Sequence, residues 1–216
     1  MLKFGWTCPP HDSRMDFVSG LNEQQRAAVS HLEGPLLILA GAGSCKTRVI
    51  TQRICHLLHH HQGPASAILA VTFTNKAARE MKDRVAKMMG EPVYGLTVAT
   101  FHSFCVRLLR SYGDPLSEIR PGFTRSFNIY DDDDQVALLR SVYKEMSITE
   151  ETLKYRSALS RISHAKSLRL DPGDIPLKSP ADRRFVQIYE AYEQALAKAN
   201  AADFDDLLIL TVRLLS

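Results

Sequence analysis

The chain has 216 residues, 45% of them hydrophobic and 24% charged, with a formal net charge of +3. That length and apolar content suit one large domain or two small ones with a sizeable core. No run approaches the roughly eighteen apolar residues of a membrane span, and the first fourteen residues lack the apolar core of a secretory signal, so a cytoplasmic protein without membrane association is expected.

Residues 1–16 look unrelated to the rest of the chain, and Met15-Asp16-Phe17 makes a natural start, so an unstructured extension is expected there. Over 21–29, Asn22 stands as N-cap with Gln25 three positions on, a capping-box arrangement opening a helix that Gly34-Pro35 stops. The aliphatic run 36–40 reads as a strand. Residues 46 to about 60 read as a helix, with Val49, Ile50, Arg53, Ile54, Leu57 and Leu58 at helical spacing. Gly63-Pro64 breaks it, and 68–73 reads as a second buried strand. Next comes a helix over 75–89, with Ala78, Met81, Val85 and Met88 on one face, then a short strand over 96–100 and a helix over 101–112. This order predicts an α/β fold, a parallel sheet with helices on both faces. After Gly113-Asp114-Pro115 the character changes to amphipathic helices over 131–146, 149–168 and 181–200 with no convincing strand. Residues 114–201 therefore read as an all-helical insertion between 17–113 and a returning helix in 202–216, whose acidic start suits a helix N-terminus.

The most informative stretch is 36–47, LLILAGAGSCKT. An apolar strand breaks into a loop of bare backbone that ends in Lys46-Thr47 ahead of a helix, the layout of a phosphate-binding loop. Ala40, Gly41, Ala42, Gly43 and Ser44 are small enough for main-chain N–H groups to approach phosphate oxygens. Lys46 would reach the β- and γ-phosphates, and the Thr47 hydroxyl would ligate Mg²⁺. Cys45 stands where such loops carry glycine. Its Cβ restricts backbone geometry and occupies phosphate space, and a thiol beside Lys46 at a helix start is open to a lowered pKa. A weakened site, a tolerated variant and a redox-sensitive loop all remain open, and a weakened site is the reading taken.

Four cysteines, Cys8, Cys45, Cys55 and Cys105, lack CxxC spacing and any disulfide framework, which fits a reducing cytosol. Between residues 35 and 113 there are ten Lys/Arg against three Asp/Glu, so this segment is basic and suits a polyanionic partner. His56, His59, His60 and His61 beside Cys55 are read as a favourable helix C-terminus in preference to a metal site. Asp131–Asp134 read as the acidic start of a helix.

LNEQQRAAV (21–29), AGAGSCKTRVIT (40–51), LAVTFTNKAAREMKDRV (69–85), TVATFHSFCVRLLR (97–110) and DFDDLL (203–208) occur in the order and spacing of superfamily 1 DNA helicases. From about Phe17 to Ser216 the chain closely resembles the N-terminal portion of the UvrD/Rep/PcrA group. The resemblance implies a partial RecA-like ATP-binding domain, with ATP and Mg²⁺ as cofactors. It implies that Gln25 reads the adenine edge, Arg48 stacks on the ring, and Lys46 and Thr47 serve phosphate and Mg²⁺. Phe73, Thr74 and Asn75 fall in the segment coupling the nucleotide to single-stranded DNA, and Thr100, Phe101, His102 and Ser103 fall in a second DNA-contacting segment. Taken singly, Phe73 and Phe101 could equally be core, and His102 a helix-start residue with a local partner. Asp203, Asp205 and Asp206 read as a family segment and not as catalytic carboxylates.

The resemblance further implies 3′→5′ movement on single-stranded DNA, with repair or replication as setting, contact of the helical insertion with duplex at a junction, and partnership with the remaining helicase domains. In the family an Asp-Glu pair and a second RecA-like domain complete hydrolysis, and these 216 residues contain no Asp-Glu dipeptide. The segment alone is therefore expected to be inactive as an ATPase. With a sheet lacking its later strands, it is also expected to self-associate.

Overall fold

The structure, a computed structural model, describes residues 17–39, 41, 46–60 and 64–216. It divides into two units, Met1–Thr100 and Phe101–Ser216, each with its own core.

In the first unit α1 (Glu23–Ser30) starts at the anticipated capping box. Asn22 Oδ1 accepts from Gln25 N at 2.9 Å, and Gln25 Oε1 accepts from Asn22 N at 3.2 Å. Two orphan donors of the first turn are thus satisfied reciprocally. α2 (Lys46–His60) packs on α1 through Val49 against Ala28 and Val29. β1 (Leu69–Thr72) and β2 (Thr97–Thr100) pair in parallel, in the register Leu69↔Thr97 to Thr72↔Thr100. Between them runs α3 (Asn75–Met89), capped by Thr74 and closed by Gly90 at φ 80°, a left-handed position that suits glycine. Ile54 and Cys55 of α2 and Met81 and Val85 of α3 share one core with Phe17, Ala65 and Leu96.

The sheet is smaller than the apolar runs suggest. Residues 36–39, expected to begin a strand, carry no strand pairing, and Ala40 lies outside the described residues. A strand exists only through a neighbour's hydrogen bonds, and no described strand runs beside this one. Leu37 and Leu39 consequently stand 81% and 87% exposed. The strand expected to be buried is half open for the same reason, with Leu69 exposed.

The second unit contains α4 (Phe101–Tyr112), β3 (Asn128–Ile129), α5 (Asp132–Glu145), α6 (Tyr155–Ser167), α7 (Pro180–Lys198), β4 (Ala201–Ala202) and α8 (Phe204–Leu215). A Cβ at Gly113 would collide with the Leu109 carbonyl oxygen, which explains the glycine where α4 ends. The acidic run behaves as read: Asp131 caps α5 and forms a capping box with Asp134. Leu139, Val142, Ile162, Phe185, Ile188 and Leu196 build the core of α5, α6 and α7. Its buried tyrosines keep their hydroxyls bonded, Tyr143 to the Leu153 carbonyl at 2.8 Å and Tyr189 to that of Leu170 at 3.2 Å.

Two expectations need correction here. β3 and β4 form a short parallel pair in a stretch read as purely helical, because Asn128 N and Tyr130 N donate to the Asn200 and Ala202 carbonyls. The helix expected over 149–168 starts only at Tyr155, since residues 149–153 form turns and no side chain caps an earlier start.

Candidate nucleotide and nucleic-acid site

α2 begins Lys46-Thr47-Arg48, all exposed, with no acidic residue in its first turn. Main-chain N–H groups at a helix start already favour an anion, and two cationic side chains and a hydroxyl add to that preference. Lys46 Nζ donates to the Gly41 carbonyl at 3.0 Å, five residues back along the chain. Among the described residues, a Cβ at Gly41 would meet nothing within 4 Å. This donor set fits a triphosphate with its magnesium ion. Ala40, Ala42, Gly43, Ser44 and Cys45 lie outside the described residues.

α1, which packs on the same helix, carries Gln25. Two arginines of α2, neither chosen for this task from the sequence, tie it to α1 and to the segment that precedes α1. Arg53 Nη1 donates to the Ala28 carbonyl at 2.7 Å and also to that of His31, capping the C-terminal end of α1 with a cation. Arg48 Nη2 reaches the Gly20 carbonyl at 3.4 Å. Gly20 is at φ 70°, and a Cβ there would press on Arg48 at 3.1 Å. The signal for Arg53 was its position on an otherwise apolar helical face. Its partners, twenty-two and twenty-five residues away, are invisible in periodicity.

Also in the first unit, the C-terminal ends of β1 and β2 lie side by side, with Thr72 opposite Thr100. Phe73, immediately after β1, is 94% exposed, so it is not a core residue. Thr74 Oγ1 accepts from Ala77 N at 3.1 Å, which leaves its hydroxyl hydrogen as a donor. Asn75 Oδ1 accepts from the buried Thr100 hydroxyl at 3.5 Å, linking the two strand ends. An exposed aromatic face beside hydroxyl and amide donors is the equipment for stacking a base and holding a phosphate.

In the second unit α4 begins with Phe101, half exposed, and with exposed His102 and Ser103. The His102 ring meets Phe204 of α8 edge-on at 5.9 Å, so the helix-start reading and a local partner are both present. That contact ties the TFHS segment to the DFDD segment.

The sequence did not disclose what the DFDD segment does. Asp203 caps α8, and Lys166 of α6 donates from Nζ to Asp203 Oδ2 at 2.7 Å and Asp206 Oδ1 at 2.6 Å. Arg120 donates to Asp206 Oδ2 at 3.0 Å, and the Tyr192 hydroxyl to Asp203 Oδ2 at 3.1 Å. Glu193 Oε1 lies 2.7 Å from Lys166 Nζ, a third carboxylate paired with the same ammonium. Burial, then the charge of Asp206, pushes the Glu193 carboxyl up to about 7 against the pull of Lys166. Burial raises Asp203 likewise. Asp206, despite its own burial, is held below the usual range by Lys166 and Arg120. Lys166, also against burial, is held well above its usual value by the three carboxylates. Oxygens of Glu193, Asp203 and Asp206 lie within 4.8 Å of one another, a spacing that suits a metal, but the Lys166 ammonium is the cation among them. Asp205 stays outside this cluster, half-buried.

The histidines of α2 contact one another, His56 and His60 at 4.2 Å and His59 and His60 at 5.0 Å, and His59 lies edge-on to Phe17. His61 lies outside the described residues. Cys55 is buried and free, its thiol pushed up to about 12 by that burial.

Among the described residues no helix is long and apolar enough to cross a membrane. The family model of the UvrD/REP helicase N-terminal domain matches residues 21–216. The chain is 41% identical over 199 residues to the ATP-dependent DNA helicase PcrA of Bacillus subtilis (strain 168), covering 91% of this chain and 26% of that protein. It is 41% identical over 197 residues to PcrA of Staphylococcus aureus (strain Mu50 / ATCC 700699), covering 90% and 26%. Against the ATP-dependent DNA helicase UvrD1 of Mycobacterium bovis (strain ATCC BAA-935 / AF2122/97) the identity is 41% over 213 residues, covering 96% and 27%. The chain thus spans about a quarter of the length of the curated relatives it matches.

Proposed function

Because the chain belongs to the UvrD/REP helicase N-terminal domain family, we propose that it is the N-terminal part of an ATP-dependent DNA helicase that moves 3′→5′ on single-stranded DNA and unwinds duplex in repair or replication. Residues 17–113 and 202–216 then belong to a RecA-like ATP-binding domain, 114–201 to an inserted helical subdomain, and 1–16 to an extension. The observation that carries the reading is the exposed cationic start of α2, Lys46-Thr47-Arg48, on a helix packed against the one that bears Gln25.

Within it, Lys46 exchanges the Gly41 carbonyl for phosphate oxygens and neutralises them. Thr47 offers its hydroxyl to Mg²⁺, Arg48 its guanidinium plane to the adenine, and Gln25 its amide to the adenine edge. ATP with Mg²⁺, when bound, supplies the phosphoanhydride whose cleavage drives movement. Phe73 stacks a base while Thr74, Asn75, Thr100, Phe101 and His102 hold the strand. The full helicase would work in the cytoplasm on single-stranded DNA and single/double-strand junctions, together with its remaining domains. The 216 residues by themselves bind and do not hydrolyse, for want of an Asp-Glu pair.

The test is a titration of the chain with a fluorescent ATP analogue and Mg²⁺, and separately with labelled oligo-dT. Lys46→Ala should weaken nucleotide binding by about tenfold or more. Phe73→Ala should weaken oligo-dT binding several-fold and leave nucleotide binding intact. Nucleotide binding indifferent to Lys46 would sink the reading. Cys45 favours a second one, a nucleotide- or DNA-binding module without catalysis. Sustained absence of ATPase activity on adding the downstream helicase domains would select it.

A further inference from the structure

The capping box at α1 engages the side chain that the proposed function assigns to the base. Gln25 Oε1 accepts from the main-chain N–H of Asn22, and among the described residues its Nε2 makes no hydrogen bond. An amide has nearly the same shape in either sense, and only its partners decide which end carries oxygen. Here the partner is a main-chain donor. Turning the amide over would set Nε2–H against Asn22 N–H, donor against donor. The sense and rotamer of Gln25 are therefore fixed before any ligand arrives.

Adenine offers an N6–H donor beside the N7 acceptor, whereas guanine offers two acceptors, O6 and N7. Oε1 retains a second lone pair for N6–H, and Nε2 retains both hydrogens for N7. Guanine would bring O6 against Oε1.

We infer that the main-chain N–H of Asn22 is a specificity-determining group of the nucleotide site, holding the Gln25 amide in the one sense that accepts adenine and refuses guanine. This rests on Gln25 being the base-reading side chain. Asn22 is a positioning residue, acting on the ligand only through Gln25. Without its N–H, Gln25 must be ordered by the nucleotide itself, which weakens ATP and leaves ligands that do not use the amide unaffected.

Proline removes that N–H and fits the φ of −71° at Asn22. Asn22→Ala keeps the N–H but loses the side-chain cap, so the pair isolates the main-chain donor. ATP, GTP and inorganic tripolyphosphate compete against a fluorescent ATP analogue on the full chain, in the Gln25 and Gln25→Ala backgrounds. Asn22→Pro should narrow the ATP:GTP ratio about five- to tenfold, with tripolyphosphate unchanged and Asn22→Ala like wild type. In Gln25→Ala, Asn22→Pro should not move the ratio. A ratio unmoved by Asn22→Pro while Gln25→Ala abolishes it overturns the inference and leaves the base reading standing. So does equal narrowing in both backgrounds, or a parallel loss for all three ligands, which marks a structural role. A wild-type chain without preference for ATP, or one whose preference survives Gln25→Ala, overturns the base reading and this inference with it. Should Asn22→Pro fail to fold, the Leu21–Asn22 amide can be made an ester in a synthetic 1–44 segment ligated at Cys45. The same expected ratios and overturning outcomes then apply.

Discussion

Lys166 and Asp206 meet at 2.6 Å, their side chains only 2% and 6% exposed, and join α6 to α8 across forty residues of sequence. Removing one partner of such a pair leaves the other charged and dry, which costs more than the pair itself contributes. Lys166→Met should therefore destabilise the chain by about 3–5 kcal/mol in urea unfolding. A loss below about 1 kcal/mol would show that water reaches the carboxylates.

Glu193 gives the same cluster a pH signature. Its carboxyl is raised to about 7 by burial and by Asp206, with Lys166 and Arg120 opposing. An acid raised on folding binds its proton more tightly in the native state. Its contribution is complete below the unfolded value of 4.5 and is lost as pH climbs to about 7. Stability should fall across that window by up to about 3 kcal/mol, and Glu193→Gln should flatten the fall. An unaltered slope in Glu193→Gln would assign the titration elsewhere.

Cys45→Gly restores the residue type that phosphate loops use. ATP-analogue binding should tighten by about tenfold or more, since loss of the Cβ frees both backbone and phosphate space. Equal affinity would mean that the loop tolerates cysteine. Cys55 and Cys105 are buried. Iodoacetamide labelling of Cys45 no faster than Cys8 would end the redox alternative.

Arg53 holds the end of an eight-residue helix, a length that is marginal without tertiary support. Arg53→Ala strands the Ala28 and His31 carbonyls at the C-terminus of α1. The expected loss is about 1–2 kcal/mol, with faster amide exchange in α1 than in α3. Uniform exchange changes would argue against a local clamp.

Leu37 and Leu39 stand exposed on a segment with no described strand beside it. Such an edge invites pairing between chains. Light scattering at tens of micromolar should show self-association, reduced by Leu37→Lys with Leu39→Lys. A clean monomer in the unaltered chain would remove the premise.

Elements whose information is local were legible in the sequence. The Asn22/Gln25 capping box, the acidic start of α5 and the bounds of α3 and α4 follow from periodicity and signals lying within a few residues. Residues 36–39 show the limit: an aliphatic run encodes burial, but a strand needs a neighbour that periodicity does not supply. β3 and β4 escaped because two-residue strands carry no pattern. At the site, exposed Phe73 and the basic start of α2 could be anticipated from motif and context. The Lys166 cluster could not, since its members come from four separated places and a lysine in KSLRL reads as a solvated helix face.

That cluster also governs how the second unit comes apart. A hydrophobic contact can open gradually, each exposed methylene costing its own small increment. A lysine shared by Asp203 and Asp206 cannot be half released, because each carboxylate left behind is an unpaired charge in a dry place. α8 therefore does not peel away while α6 and α7 persist, and the three helices share one opening transition.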